Sequence, residues 1–408
     1  MLRSRNTNIV AKNTGAAAGK NAAVDPPAKR NVANNQIVLE KRGAPEHGSG
    51  EPQPKRAVLH EIHEGIDGIL IDSQKRTETK RTRRSNSSKD SSQTFTDSDS
   101  DIQVLDVTLP KRVDPCPEFD FDQQCAREHD EHAVPEFAAD IFEYSRSREK
   151  NFMVGNYIKR LKHYTPQIRA RVVDWMVRMQ ESFELNHETL YLSVKLWDLY
   201  MAQTSEVNLT DVSGQLIASV CIFVASKFDE RSPPLIDDFL YICQDRFERE
   251  AFITCEMKLL DVIGFDLGCP LSYVYLRRLA RVTSTGMGTL TLSRYILETS
   301  LCYYEFVGVR ESLLASGAFY LALKMENESA QWTPILHKYS GYSLAEIEPF
   351  VDELNLMLHR IRNHIDDEAK TVQSKYSHEV FHSVALIPLL PCNFQSPPRN
   401  NKKTSIKH

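Results

Sequence analysis

The chain carries none of the common constellations of bond-making chemistry. It contains no Cys-x-x-Cys pair, no phosphate-cradling glycine loop, no His-Glu-x-x-His and no Gly-x-Ser-x-Gly. Its 8 cysteines are scattered, which excludes a zinc module and a disulfide framework and suits a reducing, intracellular compartment. Cys221 and Cys255 stand among apolar residues and read as small core side chains. The 16 glycines are spread over 408 residues with none clustered at a helix start, which argues against a nucleotide site. His187 lacks a cysteine or second histidine at ligand spacing and reads as a surface or capping residue rather than a metal ligand. No apolar run approaches the roughly 18 residues of a membrane span, and no signal-peptide core opens the chain. The expectation is a protein without catalytic residues, metal, cofactor or membrane segment.

What the chain does carry is helical periodicity. Ile168, Val172, Trp175, Met176, Met179 and Phe183 recur as one face of a helix, and Leu190, Val194, Trp197 and Met201 form a second after a candidate N-cap at Asn186. Adjacent helices with wide apolar faces are stable only inside a bundle. The spacing predicts helices near Gln167–Phe183, His187–Met201, Thr210–Phe228, Leu235–Ile242 and Arg249–Ile263. A second set is predicted near Leu271–Arg281, Thr289–Tyr304, Glu311–Glu326, Trp332–Tyr339 and Leu344–Ile365. Pro233-Pro234, Pro270 and a turn at Gly286–Gly288 punctuate them. Segments LIASVCIFVASKF (216–228) and LLASGAFYLALKM (313–325) superpose at an offset of 97, each reading as the central helix of a bundle. An offset near 100 is too long for a solenoid and suits a duplicated domain. The fold class is all-α, two groups of five helices.

Composition is uneven along the chain. A basic, Asn- and Ala-rich stretch runs to about Arg84, and an acidic, Ser-rich stretch follows to about Asp140, so the net charge of -5 conceals two opposite tails. Both read as solvated disorder.

The wording of the helices resembles a known family. The Arg-Ala pair, the apolar pair, Asp174-Trp175 and the run from Asn186 through His-Glu-Thr-Leu-Tyr-Leu are similar to the first helices of a cyclin box. The segments ESFELNHETLYLSVKLWDLYM, PPLIDDFLYICQDRFERE and IGFDL resemble B-type mitotic cyclins, most of all their third, B-three subtype. The resemblance covers roughly Val134 to Arg362. It implies a disordered regulatory tail over 1–133, an N-terminal helix and first cyclin box over 134–268, a second box over 269–367 and a tail over 368–408.

It further implies a non-catalytic activator that presses inward a regulatory helix of a cyclin-dependent kinase. The kinase-gripping residues would be Lys227 and Glu256, with Leu260, Phe265 and Leu267 around them and Ile141 and Tyr144 from the preceding helix. On residue chemistry alone, Lys227 would be a solvated helix terminus and Glu256 a partner of Lys258 or Arg249. A substrate-docking patch would map to Ile168, Val172 and Trp175. Arg171 replaces an apolar residue of that patch, and Trp175 also reads as core.

The tails carry short signals. Arg56, Leu59 and Ile62 resemble the destruction box that delivers mitotic cyclins to the anaphase-promoting ubiquitin ligase. Lys80, Arg81, Arg83 and Arg84 read either as a nuclear import cluster or as a solubilising charge run. Without interleaved aromatics they do not suggest nucleic-acid binding. Ile102, Val104 and Leu105, after an acidic run, resemble a SUMO-interacting strand, or a linker lying on the protein's own surface. Ser396 fits a Ser-Pro-x-basic site for cyclin-dependent kinases. The implied partners are a mitotic kinase subunit, the ubiquitin ligase and the kinase's protein substrates. The implied location is the nucleus, with a share in the cytoplasm left open. The competing class is a transcription-associated protein with tandem cyclin folds, though the missing Cys-x-x-Cys and the destruction box count against the initiation-factor form.

Overall fold

The computed structural model describes residues 114–130, 133–161, 164–204, 211–363 and 369–392, and every regular element among them is helical. Two short helices lead, α1 (Phe121–Arg127) and α2 (Pro135–Arg148). The first bundle is α3 (Pro166–Ser182), α4 (His187–Gln203), α5 (Asp211–Asp229), α6 (Ile236–Ile242) and α7 (Arg249–Val262). The second is α8 (Ser272–Val282), α9 (Met287–Leu301), α10 (Glu311–Glu326), α11 (Pro334–Ser340) and α12 (Leu344–Arg362), with α13 (Lys370–Tyr376) after it. The helix starts follow local chemistry. Thr165 accepts from the Ile168 amide with Pro166 in the first turn of α3, and Ser343 and Glu346 close a reciprocal capping box on α12.

Each bundle wraps one central helix. α5 lies against α3, α4 and α7, and α10 lies against α8, α9, α11 and α12. The repeat read at an offset of 97 holds in detail. Ser219 and Ser316 are both buried and both donate to the carbonyl four residues back, Gln215 and Ser312. The central helices must be lined by small residues because their neighbours come close. A Cβ on Gly317 would stand 2.7 Å from the Phe350 ring of α12. The turns that follow α3 and α8 repeat as well. Glu184 and Ser284 both take left-handed backbone, and the next amides, Leu185 and Thr285, reach back to Gln180 and Ala280.

Three details differ from the sequence reading. α9 begins at Met287, so Gly288 lies in a helix rather than a turn. Asn186 occupies the N-cap position of α4, but its side chain donates to Glu230 (2.8 Å) and makes no cap bond. His187 is neither a surface residue nor a cap. It sits in the seam between the bundles, its ring 5.2 Å from Tyr273, and its Nε2 accepts from Arg294 (2.9 Å) because a guanidinium can only donate. Burial, and then the nearby cations Arg294, Lys375 and Arg277, hold its pKa well below the ordinary imidazole value.

The largest difference is at the two ends of the folded unit. Residues 114–130 and 133, expected in the disordered tail, dock on the second bundle, where Phe121, Cys125 and Ala133 are buried with Val282. Residues 369–390, expected beyond the second box, pack as part of it: Ala369, Val372, Tyr376, Val384 and Ala385 are buried. α13 bridges the bundles. Thr371 donates twice to Asp174 of α3, and Lys375 donates to Gln180 of α3 (2.9 Å) and to Glu298 of α9 (2.6 Å). Glu298 also accepts from the Tyr376 hydroxyl at 2.7 Å.

The Lys375 and Glu298 side chains are 2% and 0% exposed. Removing one member of a buried pair strands the other charge, at a cost of about 3–5 kcal/mol. An exposed pair such as Arg360–Glu305, 31% and 52% exposed, contributes about 1 kcal/mol or less. Glu298→Ala should therefore lower the denaturation free energy several-fold more than Glu305→Ala, as read by urea titration. Equal losses would mean that α13 does not lock the bundles.

Candidate functional site

The sequence-predicted pair comes together. Lys227, in the last turn of α5, forms an ion pair with Glu256 in the middle of α7. Its ammonium also lies 4.4 Å from the centre of the Phe223 ring. The plainer pairing does not occur, since Arg249 binds Asp237 at 2.5 Å instead. Lys227 is 42% exposed and Glu256 14%, so the pair sits at the surface with one side open. The turn bearing Lys227 is held from behind, because Glu230 accepts from the Asn186 amide (2.6 Å) and from the Thr189 hydroxyl (2.6 Å) at the start of α4. The repeat places Lys324 of α10 at the matching position, over the Tyr320 ring. Among the described residues no carboxylate pairs with Lys324, so the ion pair at this position belongs to the first bundle.

Around the pair is an unusual density of exposed apolar side chains. α7 has two apolar stripes. Phe252 and Leu259 are buried inward, while Ile253 and Met257 face out at 38% and 59% exposure with Glu256 beside them and Leu260 half-buried one turn on. α7 ends in a turn in which Gly264 donates to Asp261 and Phe265 to Leu260, the paired bonding of a Schellman cap. Phe265 itself then also takes left-handed backbone (φ 59°) and is 68% exposed. For a bulky residue that conformation costs roughly 1–2 kcal/mol. A solvated phenylalanine offers nothing in return within the chain. Leu267 follows, packed on the core.

The preceding helix completes the face. On α2, Ala138 and Phe142 turn inward, and Phe137, Ile141 and Tyr144 turn outward at 57%, 47% and 61% exposure. Arg148 at the end of α2 joins the two halves. It donates to the Tyr144 hydroxyl (3.1 Å) and forms a 2.6 Å ion pair with Asp266, between Phe265 and Leu267. All seven sequence-predicted residues thus fall on two linked patches, one centred on Lys227–Glu256 and one on Arg148–Asp266. Phe137, Phe228, Ile253 and Met257 were missed. The signal for the last two was present, since α7 is apolar on more of its circumference than one buried face requires.

The expected docking patch is different. Trp175 is 2% exposed and belongs to the core of the first bundle, while Ile168 and Val172 are half-buried beside it. Helix α3 packs on both α5 and α13, and with Trp175 in the core the three residues do not share one exposed surface. The other sequence signals, Arg56, Leu59 and Ile62, Lys80 to Arg84, Ile102, Val104 and Leu105, and Ser396, lie outside the described residues. Among the described residues no group of His, Cys, Asp and Glu could hold a metal ion, and no helix is long and apolar enough to cross a membrane.

Comparison with known proteins gives the arrangement its family. The N-terminal cyclin domain matches residues 140–268 and the C-terminal cyclin domain residues 270–390, the latter reaching through α13 as the packing does. A G2/mitotic-specific cyclin-B3 of Caenorhabditis elegans is 43% identical over 335 residues, 82% of this chain and 82% of the relative. Its counterpart in Drosophila melanogaster is 43% identical over 71% of this chain, which spans about half (51%) of that relative's length. The Gallus gallus cyclin-B3 is 44% identical over 63% of this chain and 62% of its own length. These are mitotic cyclins, not the transcription-associated alternative. The chain belongs to the cyclin family, in its B3 mitotic branch, and is a regulatory subunit rather than an enzyme.

Proposed function

We propose that the chain activates a mitotic cyclin-dependent kinase through the face made by α2, the end of α5, α7 and residues 263–267. The observation that carries this reading is the Lys227–Glu256 pair set among outward apolar side chains, with Phe265 in a strained backbone conformation. A helix end of the kinase presents free backbone amides or carbonyls, and a lysine and a glutamate offer charge-assisted bonds to both. Ile141, Tyr144, Leu260, Phe265 and Leu267 then supply the buried area. Binding energy spent on one kinase conformation shifts the kinase toward it, which is activation without catalysis by the cyclin.

Lys227→Ala combined with Glu256→Ala should leave folding nearly unchanged, since a surface pair with its lysine open to water stabilises little. In the complex, losing a buried charge-assisted contact costs about 2–5 kcal/mol. Kinase affinity should fall at least about tenfold, at roughly 1.4 kcal/mol per decade. Histone-kinase activity at limiting cyclin should fall with it and partly recover at high cyclin. Full affinity in the double variant would sink the assignment.

The basic tail supports two further proposals. Arg56, Leu59 and Ile62 are placed in a low-hydropathy stretch suited to an extended, accessible peptide, as recognition by the anaphase-promoting ligase needs. Lys80, Arg81, Arg83 and Arg84 would direct import to the nucleus, where the kinase's substrates would be met. In dividing cells, a fluorescent fusion carrying Arg56→Ala and Leu59→Ala should persist through mitotic exit while the parent disappears. The same fusion with the four basic residues changed to alanine should move to the cytoplasm. Equal half-lives, or an unchanged distribution, would reject the respective motif.

A further inference from the structure

α2 carries Phe137, Ile141 and Tyr144 outward, yet it has little to hold it. Of its fourteen residues only Ala138 is buried. It opens at Val134, a β-branched residue in left-handed backbone (φ 47°) with no side-chain cap bond. An isolated helix of this length is marginal, so its position must come from tertiary contacts.

The last residue of α2, Arg148, is tied to Asp266 at the end of the first bundle, and the remaining contacts gather around Arg278 of α8. Its guanidinium is 8% exposed and pairs with Asp122 of α1 at 2.5 Å. It lies 5.2 Å from the Phe121 ring of α1, 4.9 Å from the Phe142 ring of α2 and 5.2 Å from the Tyr339 ring of α11. One cation thus sits among aromatic rings from three separate segments. Tyr339 repeats the junction: its hydroxyl accepts from the Phe121 amide (2.7 Å) and its carbonyl accepts from Arg146 of α2 (3.3 Å). The strap before α2 is fastened further by Lys338–Asp114 (2.7 Å) and by Arg281–Asp130 (2.6 Å), while Ala133, just before the strained Val134, is buried in the same cluster. The strap and the second bundle together hold the base of a helix whose other face is solvated.

We propose that Arg278, with Phe121 and Asp122, is a positioning residue for kinase binding: it touches no kinase atom and fixes α2 in the orientation that presents Ile141 and Tyr144. This rests on the kinase-binding reading of α2 given above. If the docked orientation falls from nearly full to about a tenth of molecules, apparent affinity falls about tenfold with no contact residue altered.

The test uses the full chain and the purified kinase subunit. Phe121→Ala with Asp122→Asn, and separately Arg278→Met, should each weaken kinase binding roughly tenfold and speed amide exchange across Pro135–Arg148, with exchange in α5 and α10 unchanged. In a background of Ile141→Ala and Tyr144→Ala, the same strap variant should cost almost nothing further. In a Lys227→Ala background its effect should add in full. Faster exchange throughout α5 and α10 would show general destabilisation and overturn the positioning role. Unchanged kinase affinity in both strap and Arg278 variants, while Ile141→Ala with Tyr144→Ala weakens binding, would overturn the positioning role and leave the interface standing. No effect of Ile141→Ala with Tyr144→Ala would overturn the α2 interface and this inference together.

Discussion

A buried guanidinium sets the frame on which the rest is hung. Arg169 of α3 is 1% exposed and donates through Nε and Nη2 to both oxygens of Asp198 on α4, each at 2.7 Å, and through Nη1 to the Leu301 carbonyl at the end of α9 (2.7 Å). The Tyr157 hydroxyl gives Asp198 a further 2.7 Å bond. Burial alone would weaken the arginine's hold on its proton, but the Asp198 carboxylate beside it raises its pKa above the usual value. Geometry this restrictive fixes α3 against α4 and both against the second bundle, because any slip leaves a charge unpaired in the interior. With α3 and α4 fixed, α5 has one place to lie, and its last turn brings Lys227 to the rim beside α7.

From that frame the molecule divides its stability and its function cleanly. Charged groups in the seam, such as Lys195–Glu311 (2.6 Å) and Lys375–Glu298, are buried and paired with one another inside the chain. The face made by α2, the end of α5, α7 and residues 263–267 has the opposite character: large apolar side chains in water, a strained phenylalanine, and an ion pair open on one side. None of the three contributes much to the stability of the isolated chain, and under the proposed function all three would be covered by the partner.

Much of this was legible in the sequence because helices write their period into local residues. The ten box helices, the duplication at 97 and the Lys227–Glu256 pairing all rest on that period or on the family wording around it. What escaped was non-local. α1 and α13 are seven residues each, too short to show a convincing stripe, and their partners lie far away in sequence: Asp122 with Arg278, Thr371 with Asp174. His187 read as a surface residue because nothing nearby reveals Tyr273 and Arg294 closing over it. Trp175 stands in a motif whose resemblance implied a docking surface, but it is a core residue of the first bundle with Ile168 and Val172 half-buried. Exposed residues such as Phe265 were found by resemblance; the left-handed turn that explains their exposure depends on Gly264 ending α7, a feature that spacing alone does not rank.

The central claim is that one contiguous face of the first bundle and α2 receives the kinase. Hydrogen exchange of the full chain, measured alone and with a saturating kinase subunit, tests it most directly. The account predicts slowed exchange in α2, the last turn of α5, α7 and residues 263–267, with α11 and α12 unchanged. Protection centred on the second bundle, with α2 and α7 exchanging as in the free chain, would contradict it.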